Sequence, residues 1–203
     1  MSKKTKWVGI GLGVLAVVAV IVVGVSLLWK QPAEEVSSTD AEKFAQEYTE
    51  VGADNVFVYR DMDEIIRILE HGTGVVYLGF PECPWCQRYV KYLNEVAKDL
   101  GVEKIYYYNI REDRNNNSEG YQKIIELLGD MVEYDEEGRP KIYVPEVIYV
   151  KEGEIVAHDN ETSMESGDVD EYWTQEKVTA LKKRTLQYMQ DAEVTTCNSG
   201  CNL

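Results

Sequence analysis

The chain is poor in cysteine, histidine and positive charge: 203 residues hold four cysteines, two histidines and 21 basic residues against 36 acidic ones. The first cysteine is Cys83, which excludes a lipid-modified cysteine close behind an N-terminal apolar segment. His71 and His158 fall singly at a helix end and a strand end, positions that suit surface or capping roles better than metal ligation. The acidic runs "DEEG" and "DNETSMESGDVDE" lack the regular oxygen-ligand spacing and the closing glutamate of a calcium loop. No internal repeat is visible.

Charge is scarce at one end only. From Trp7 to Trp29 there are 23 residues without a charge, which as a helix rising ~1.5 Å per residue cross a hydrocarbon core of ~30 Å. Tryptophan at both ends fits the two interfaces, and Lys3, Lys4 and Lys6 ahead of the run keep the N-terminus cytoplasmic. The competing reading, a cleaved signal peptide, calls for an apolar region of only ~7 to 15 residues ending at small side chains, whereas this one ends in "SLLWKQP". The expected order is a cytoplasmic N-terminus at 1–6, a membrane anchor at 7–29, a polar linker at 30–42, a domain at 43–192 and a tail at 193–203. The domain then lies on the extracytoplasmic side of a single-pass cell-membrane protein. After Lys30, seventeen basic residues face all thirty-six acidic ones, a net charge of −19. Such a surface aids solubility and repels nucleic acid, so no nucleic-acid partner is expected.

Within the domain, periodicity predicts a short helix over 41–50, a strand in "NVFVYR", and a helix opened by Asp61 and closed by Gly72 with Ile65, Ile66, Ile68 and Leu69 inward. "GVVYLGF" is a continuous apolar run of strand length, the kind buried on both faces. The helix over 84–100 carries Pro84 in its first turn, a stripe of Tyr89, Val90, Leu93, Val96, Ala97 and Leu100, and Gly101 just past its end. "KIYYYNI" is a strand, "REDRNNNSEG" a polar loop, "YQKIIELLGDM" a helix and "DEEGRP" a turn. "VPEVIYV" and "EIVAHD" flank "KEGE" as a hairpin, and a last helix turns Val178, Leu181, Leu186 and Met189 inward. The alternation of strands and helices, closed by a hairpin, predicts an α/β domain with three layers and a central mixed sheet.

The cysteines form two local pairs, C-x-x-C at Cys83 and Cys86 and C-x-x-x-C at Cys197 and Cys201. Cys83 stands between a buried strand and a helix, where free backbone N–H groups and the helix dipole favour an anion. A thiolate is such an anion, and C-x-x-C cysteines at helix N-termini have pKa values as low as ~3.5 to 7.5. Cys86, one turn on, is spaced to resolve a mixed disulfide formed at Cys83. Two alternatives share the spacing: a zinc half-site completed by Cys197 and Cys201, and an inert structural disulfide. The direct lead into a helix and the unequal spacing of the pairs favour a dithiol switch, with no metal. Phe80 and Trp85 flank the sulfurs and suit an apolar platform for a substrate chain; Arg88 and Lys91 solvate the helix. Cys197 and Cys201 can close a tight structural disulfide; in a sharper reading they relay electrons to the first pair.

"FPECPWCQRY", followed some 60 residues on by "YVPEVIYVKEGEIV", resembles the thioredoxin superfamily over about residues 54–190. The resemblance implies a thioredoxin-like fold, a cis peptide between Val144 and Pro145 facing the dithiol, and substrate binding at those two residues. It implies exchange of disulfides with cysteine-containing proteins or a redox partner protein, and no cofactor. Where the family usually carries a buried carboxylate, six residues before the first cysteine, this chain has Tyr77, so a proton acceptor for Cys86 is sought in Glu82, Glu146 or water. Pro84-Trp85 resembles glutaredoxins, but the Gly-Gly pair expected after the proline strand is missing, and glutathione binding is not implied. The other function consistent with the resemblance is a noncatalytic accessory module that binds a secreted or exported partner.

Overall fold

The computed structural model of the protein describes residues 38–160, 162 and 167–196. The expected membrane anchor at 7–29 and the pair Cys197 and Cys201 lie outside the described residues. Among the described residues no helix is long and apolar enough to cross a membrane.

The first described element is helix α1 (Ser38–Glu47), which starts three residues earlier than expected, inside the stretch read as linker. Strand β1 (Phe57–Tyr59) leads to α2 (Met62–His71). Asp61 caps α2 by accepting from the Glu64 amide, and the Glu64 carboxylate accepts from the Asp61 amide in return, so two otherwise orphaned N–H groups are satisfied together. Ile65 and Leu69 are buried, while Ile66 and Ile68 are half-buried at the rim of the same face.

Strand β2 (Gly74–Gly79) is buried along its whole length, and α3 (Pro84–Asp99) follows with its predicted stripe inward. Helix α3 ends as expected: Gly101 has φ of +66°, its amide reaches the Lys98 carbonyl, and the Val102 amide reaches back to Ala97 at 2.8 Å. Strand β3 (Ile105–Asn109) comes next.

The segment read as a polar loop is in part helical. Helix α4 (Arg111–Asn116) has no apolar period because it buries nothing; local polar bonds hold it. Asp113 accepts from the Tyr108 hydroxyl and from Ser118 Oγ, and Asn117 at φ +48° ends the helix. Then come α5 (Glu119–Leu128), capped by Ser118, and a short hairpin of β4 (Glu133–Tyr134) and β5 (Pro140–Lys141) around the predicted turn.

Strands β6 (Glu146–Lys151) and β7 (Glu154–Asp159) form the closing hairpin, with Glu152 and Gly153 both at positive φ in its turn. A four-residue helix, α6 (Val169–Tyr172), is capped by Asp168 within the acidic stretch read as loop. The last helix, α7 (Gln175–Asp191), buries Val178, Leu181, Thr185 and Met189; Thr185 takes the inward place expected of Leu186, which is half-buried.

The central sheet has the order β1-β3-β2-β6-β7, with β1, β3 and β2 parallel, β6 antiparallel to β2, and β7 antiparallel to β6. Helix α3 packs on α7 and α2 on α5, and the inner strands β2 and β6 are buried residue after residue, so both faces of the sheet are covered. This is an α/β domain around a five-strand mixed sheet. Register decides what each face sees: Tyr77 lies opposite Val147, and Leu78 opposite Glu146, so Tyr77 and Glu146 point to different sides of the sheet.

Candidate functional site

The site is built where β2 stops. Beyond Gly79 the chain turns through Phe80, Pro81 and Glu82, with the Cys83 amide bonded to the Phe80 carbonyl at 3.2 Å. Cys83 keeps an extended backbone (φ −85°, ψ 116°) and serves as the N-cap of α3: its sulfur accepts a hydrogen bond from the Cys86 amide at 3.2 Å. A cap position normally given to a hydroxyl or carboxylate is therefore filled by sulfur, in the place where the helix end favours negative charge.

Gln87 locks this turn. Its amide nitrogen donates to the Glu47 carbonyl at 2.7 Å and the Pro81 carbonyl at 2.8 Å, and its oxygen accepts from the Thr49 amide at 3.0 Å. One side chain thus ties the loop before Cys83 to the end of α1. Arg88 does not merely solvate the helix, for it pairs with Glu50 at 2.7 Å and with Asp170 of α6.

Cys83 and Cys86 are free thiols, the first 8% exposed and the second fully buried. Their environments push them apart. Hydrogen bonding from Cys86 lowers the Cys83 pKa from 9.0 to about 7, against the opposing pull of burial, with help from the Cys86 and Trp85 amides and the charge of Arg114. Burial first, then the hydrogen bond and charge of Cys83, push Cys86 well above its ordinary value. Of the two, Cys83 is the one that loses its proton first, ionising around neutral pH.

Facing the sulfurs is the start of β6. The Val144–Pro145 peptide is cis, and the Cys83 sulfur lies 3.9 Å from the Val144 carbonyl oxygen. Comparison with models of known families, with curated proteins and with solved structures finds no match. The domain itself, with a parallel β1-β3-β2 core and a C-x-x-C pair at the start of a helix, is consistent with a thioredoxin-like fold.

The structure brings Phe80 and Trp85 to the rim of the dithiol, both half-buried. Trp85 meets Tyr172 of α6 edge-on at 5.0 Å, and the guanidinium of Arg114 lies over the Phe80 ring at 4.9 Å. Glu82 turns its exposed carboxylate to Arg111 at 2.7 Å. Glu146 is buried beside Pro145 but on the side of the sheet away from Tyr77, held by His158 Nδ1 at 3.0 Å. His71 is exposed near Glu70. Among the described residues no group of three or more histidine, cysteine or acidic side chains could hold a metal ion.

Sequence reasoning missed Gln87, Arg114 and, above all, Tyr77. The Tyr77 hydroxyl lies 3.4 Å from the Tyr48 hydroxyl, which in turn lies 3.2 Å from that of Tyr107. The signal for Tyr77 was its position; nothing in the sequence located Tyr48 beside it.

Proposed function

We propose that this chain is a thiol-disulfide oxidoreductase, tethered to the cell membrane through residues 7–29 with its domain on the extracytoplasmic side, that exchanges disulfides with cysteine-containing proteins. The observation that carries the reading is the asymmetric pair: Cys83 capping α3 as a low-pKa sulfur, with Cys86 directly behind it. With a pKa of about 7, Cys83 is about half thiolate at neutral pH while remaining a strong nucleophile, close to the optimum for exchange.

In the reductive direction the Cys83 thiolate attacks one sulfur of a substrate disulfide, forming a mixed disulfide and releasing the other sulfur as a thiolate. Cys86 gives its proton to that released sulfur and attacks Cys83, expelling the second substrate sulfur. Two electrons pass from the protein dithiol to the substrate disulfide. The same steps reversed oxidise a substrate dithiol. In this reading a substrate chain crossing the sulfurs binds against Val144 and Pro145 and passes between Phe80 and Trp85; the Val144 carbonyl 3.9 Å from the Cys83 sulfur supports it.

A Cys86→Ser chain tests this. It is expected to accumulate mixed disulfides through Cys83, and mass spectrometry of the trapped proteins names the substrates. Absence of any mixed disulfide, together with a test disulfide left untouched by the unaltered chain, overturns the reading. A partner still retained after Cys83→Ser would then point to the noncatalytic accessory module instead.

A further inference from the structure

The segment that carries Val144 to the Cys83 sulfur runs back through Tyr143 and Ile142 to strand β5, and beside that strand lies a cleft of about 730 Å³. Its walls are the end of α4, the first turns of α5 and the β4–β5 hairpin, with Arg114, Asn117, Gln122, Asp135, Arg139 and Lys141 among the side chains that line it. Three cations against one carboxylate make this cleft positive, in a chain that beyond Lys30 carries −19.

Arg139 is held by Asp135, through Nε at 2.9 Å and Nη2 at 2.8 Å, and also pairs with Glu137. The other two cations are engaged differently. The guanidinium of Arg114 lies over the Phe80 ring at 4.9 Å and reaches the Ile142 carbonyl at 3.5 Å, and the Lys141 ammonium lies over the Tyr143 ring at 4.7 Å. Glu133 stands opposite Lys141 in the hairpin register, and Glu82 is turned to Arg111. Among the described residues, neither Arg114 nor Lys141 forms an ion pair. Both are half-buried, where a charge contact is stronger than in bulk water.

Short links tie the cleft to the dithiol. The Ile142 amide donates to the Tyr121 hydroxyl at 2.9 Å while its carbonyl accepts from Arg114, so the segment between cleft and sulfur is fixed on both sides. Lys141 to Val144 is a stretch of at most ~10 Å even when extended, and the Val144 carbonyl lies 3.9 Å from the Cys83 sulfur. On the other flank Arg114 packs on Phe80, whose carbonyl accepts from the Cys83 amide. A substrate chain whose cysteine meets Cys83 therefore reaches the cleft with residues about three to five positions away.

We propose that the cleft between α4, α5 and β5 receives an acidic stretch of the substrate protein, with Arg114 and Lys141 pairing with carboxylates close in sequence to the cysteine that meets Cys83. This rests on the function proposed above and names the class of protein acted on. A nucleic acid fits less well, since a long polyanion leaving the cleft meets the acidic remainder of the surface, whereas a short acidic run touches the cleft alone.

The experiment uses the full chain in its reduced form and three short peptides. Each peptide carries a mixed disulfide with an uncharged aromatic thiol on its single cysteine, and has glutamate, glutamine or lysine at the third to fifth positions on either side. The Cys83 thiolate bonds to the peptide sulfur and expels the aromatic thiolate, which is read by its absorbance; Cys86 then gives its proton to the peptide sulfur and bonds to Cys83, releasing the peptide thiol. Two electrons pass from the protein dithiol to the peptide disulfide. The glutamate peptide is expected to react about fivefold faster than the glutamine peptide at low salt, and the lysine peptide more slowly than either. High salt is expected to bring the three together. Arg114→Gln combined with Lys141→Gln is expected to bring the glutamate-to-glutamine ratio close to one. The ratio is the readout because Arg114 also acts on Cys83 itself, and that effect divides out. If this chain does not fold, Lys141→Gln alone decides, with a ratio reduced about twofold expected and an unchanged ratio overturning the proposal.

Equal rates for the glutamate and glutamine peptides in the unaltered chain, or a ratio that survives both substitutions, overturn the proposal and leave exchange itself standing. Fluorescence anisotropy of the same peptides, labelled and with serine in place of cysteine, reads binding without exchange. Tighter binding of the glutamate peptide by a chain that never reacts removes the oxidoreductase reading and leaves the acid-binding cleft standing. Tighter binding of a short oligonucleotide than of the glutamate peptide overturns the proposal.

Discussion

The Tyr77 hydroxyl and the Gly79 α-carbon share a space with no room for one more carbon: a methyl group built on Gly79 would overlap the phenol oxygen. Both residues belong to a strand buried at every position, so neither the ring nor the backbone can move outward. Gly79→Ala is expected to destabilise the domain by about 1–3 kcal/mol through overpacking. Urea denaturation checks this. A loss well under that range would mean that the Tyr77 ring has room to swing aside.

The Cys83 sulfur is expected to be half ionised near pH 7. Alkylation of Cys83, followed on its own peptide, is expected to rise with pH to a midpoint there. The Cys86 hydrogen bond is the largest cause of the lowering, so Cys86→Ala is expected to move the midpoint upward. A move of ~1 unit cuts the thiolate fraction at pH 7 about fivefold. Arg114→Ala acts in the same direction by less, since its charge is the smallest of the named causes.

What the sequence revealed depended on how local the determinant was. The N-cap Asp61 with Glu64, the stripe of α3 closing at Gly101, and the cysteine at the junction of a buried strand and a helix are all written within a few residues, and each stands where it was expected. Helix α4 escaped because it has no buried face to give a period, only polar bonds to Asp113. Thr185 replaced Leu186 inside because the rotation of α7 follows its contact with α3, which the helix's own composition does not determine. The row Tyr77, Tyr48 and Tyr107 draws on β2, β3 and the turn just after α1, and its members are brought together only by the sheet order and the packing of that turn. Strand register puts Glu146, one of the groups considered as a proton acceptor for Cys86, on the other side of the sheet from Tyr77.

The capping box at the start of α2 gives a second measure of local determinants. Asp61→Ala removes the acceptor of the Glu64 amide and leaves that N–H to water. The expected cost is about 1 kcal/mol, seen as a lower urea midpoint with an unchanged slope. Asp61 is exposed and belongs to another helix than the dithiol, so Cys83 alkylation at pH 7 is expected to stay as it was. A cost near zero would mean that solvent satisfies the N-terminus of α2 as well as the aspartate does.

The pair of Glu146 and His158 ties the residue after Pro145 to β7, with the carboxylate side chain 3% exposed and the imidazole 24%. Burial raises the Glu146 pKa despite the opposing hydrogen bond of His158, and the hydrogen bond to Glu146 raises that of His158. For His158 the sign follows from linkage: a value higher in the folded chain than the ordinary 6.5 contributes stability that is complete below that pH and is lost as pH rises through the raised value. His158→Ala removes this contribution and leaves the Glu146 carboxylate buried without its imidazole. The expected loss at pH 6 is about 1–3 kcal/mol. As pH rises past the raised His158 value the imidazole of the unaltered chain loses its charge and keeps only its hydrogen bond, so the difference between the two chains is expected to shrink from pH 6 to pH 9. Urea denaturation of both chains at both pH values makes the comparison, and taking the difference at each pH cancels the response of the many other acidic groups. A difference that grows from pH 6 to pH 9 would contradict an ion pair at this position and mean that Glu146 is held in its protonated form.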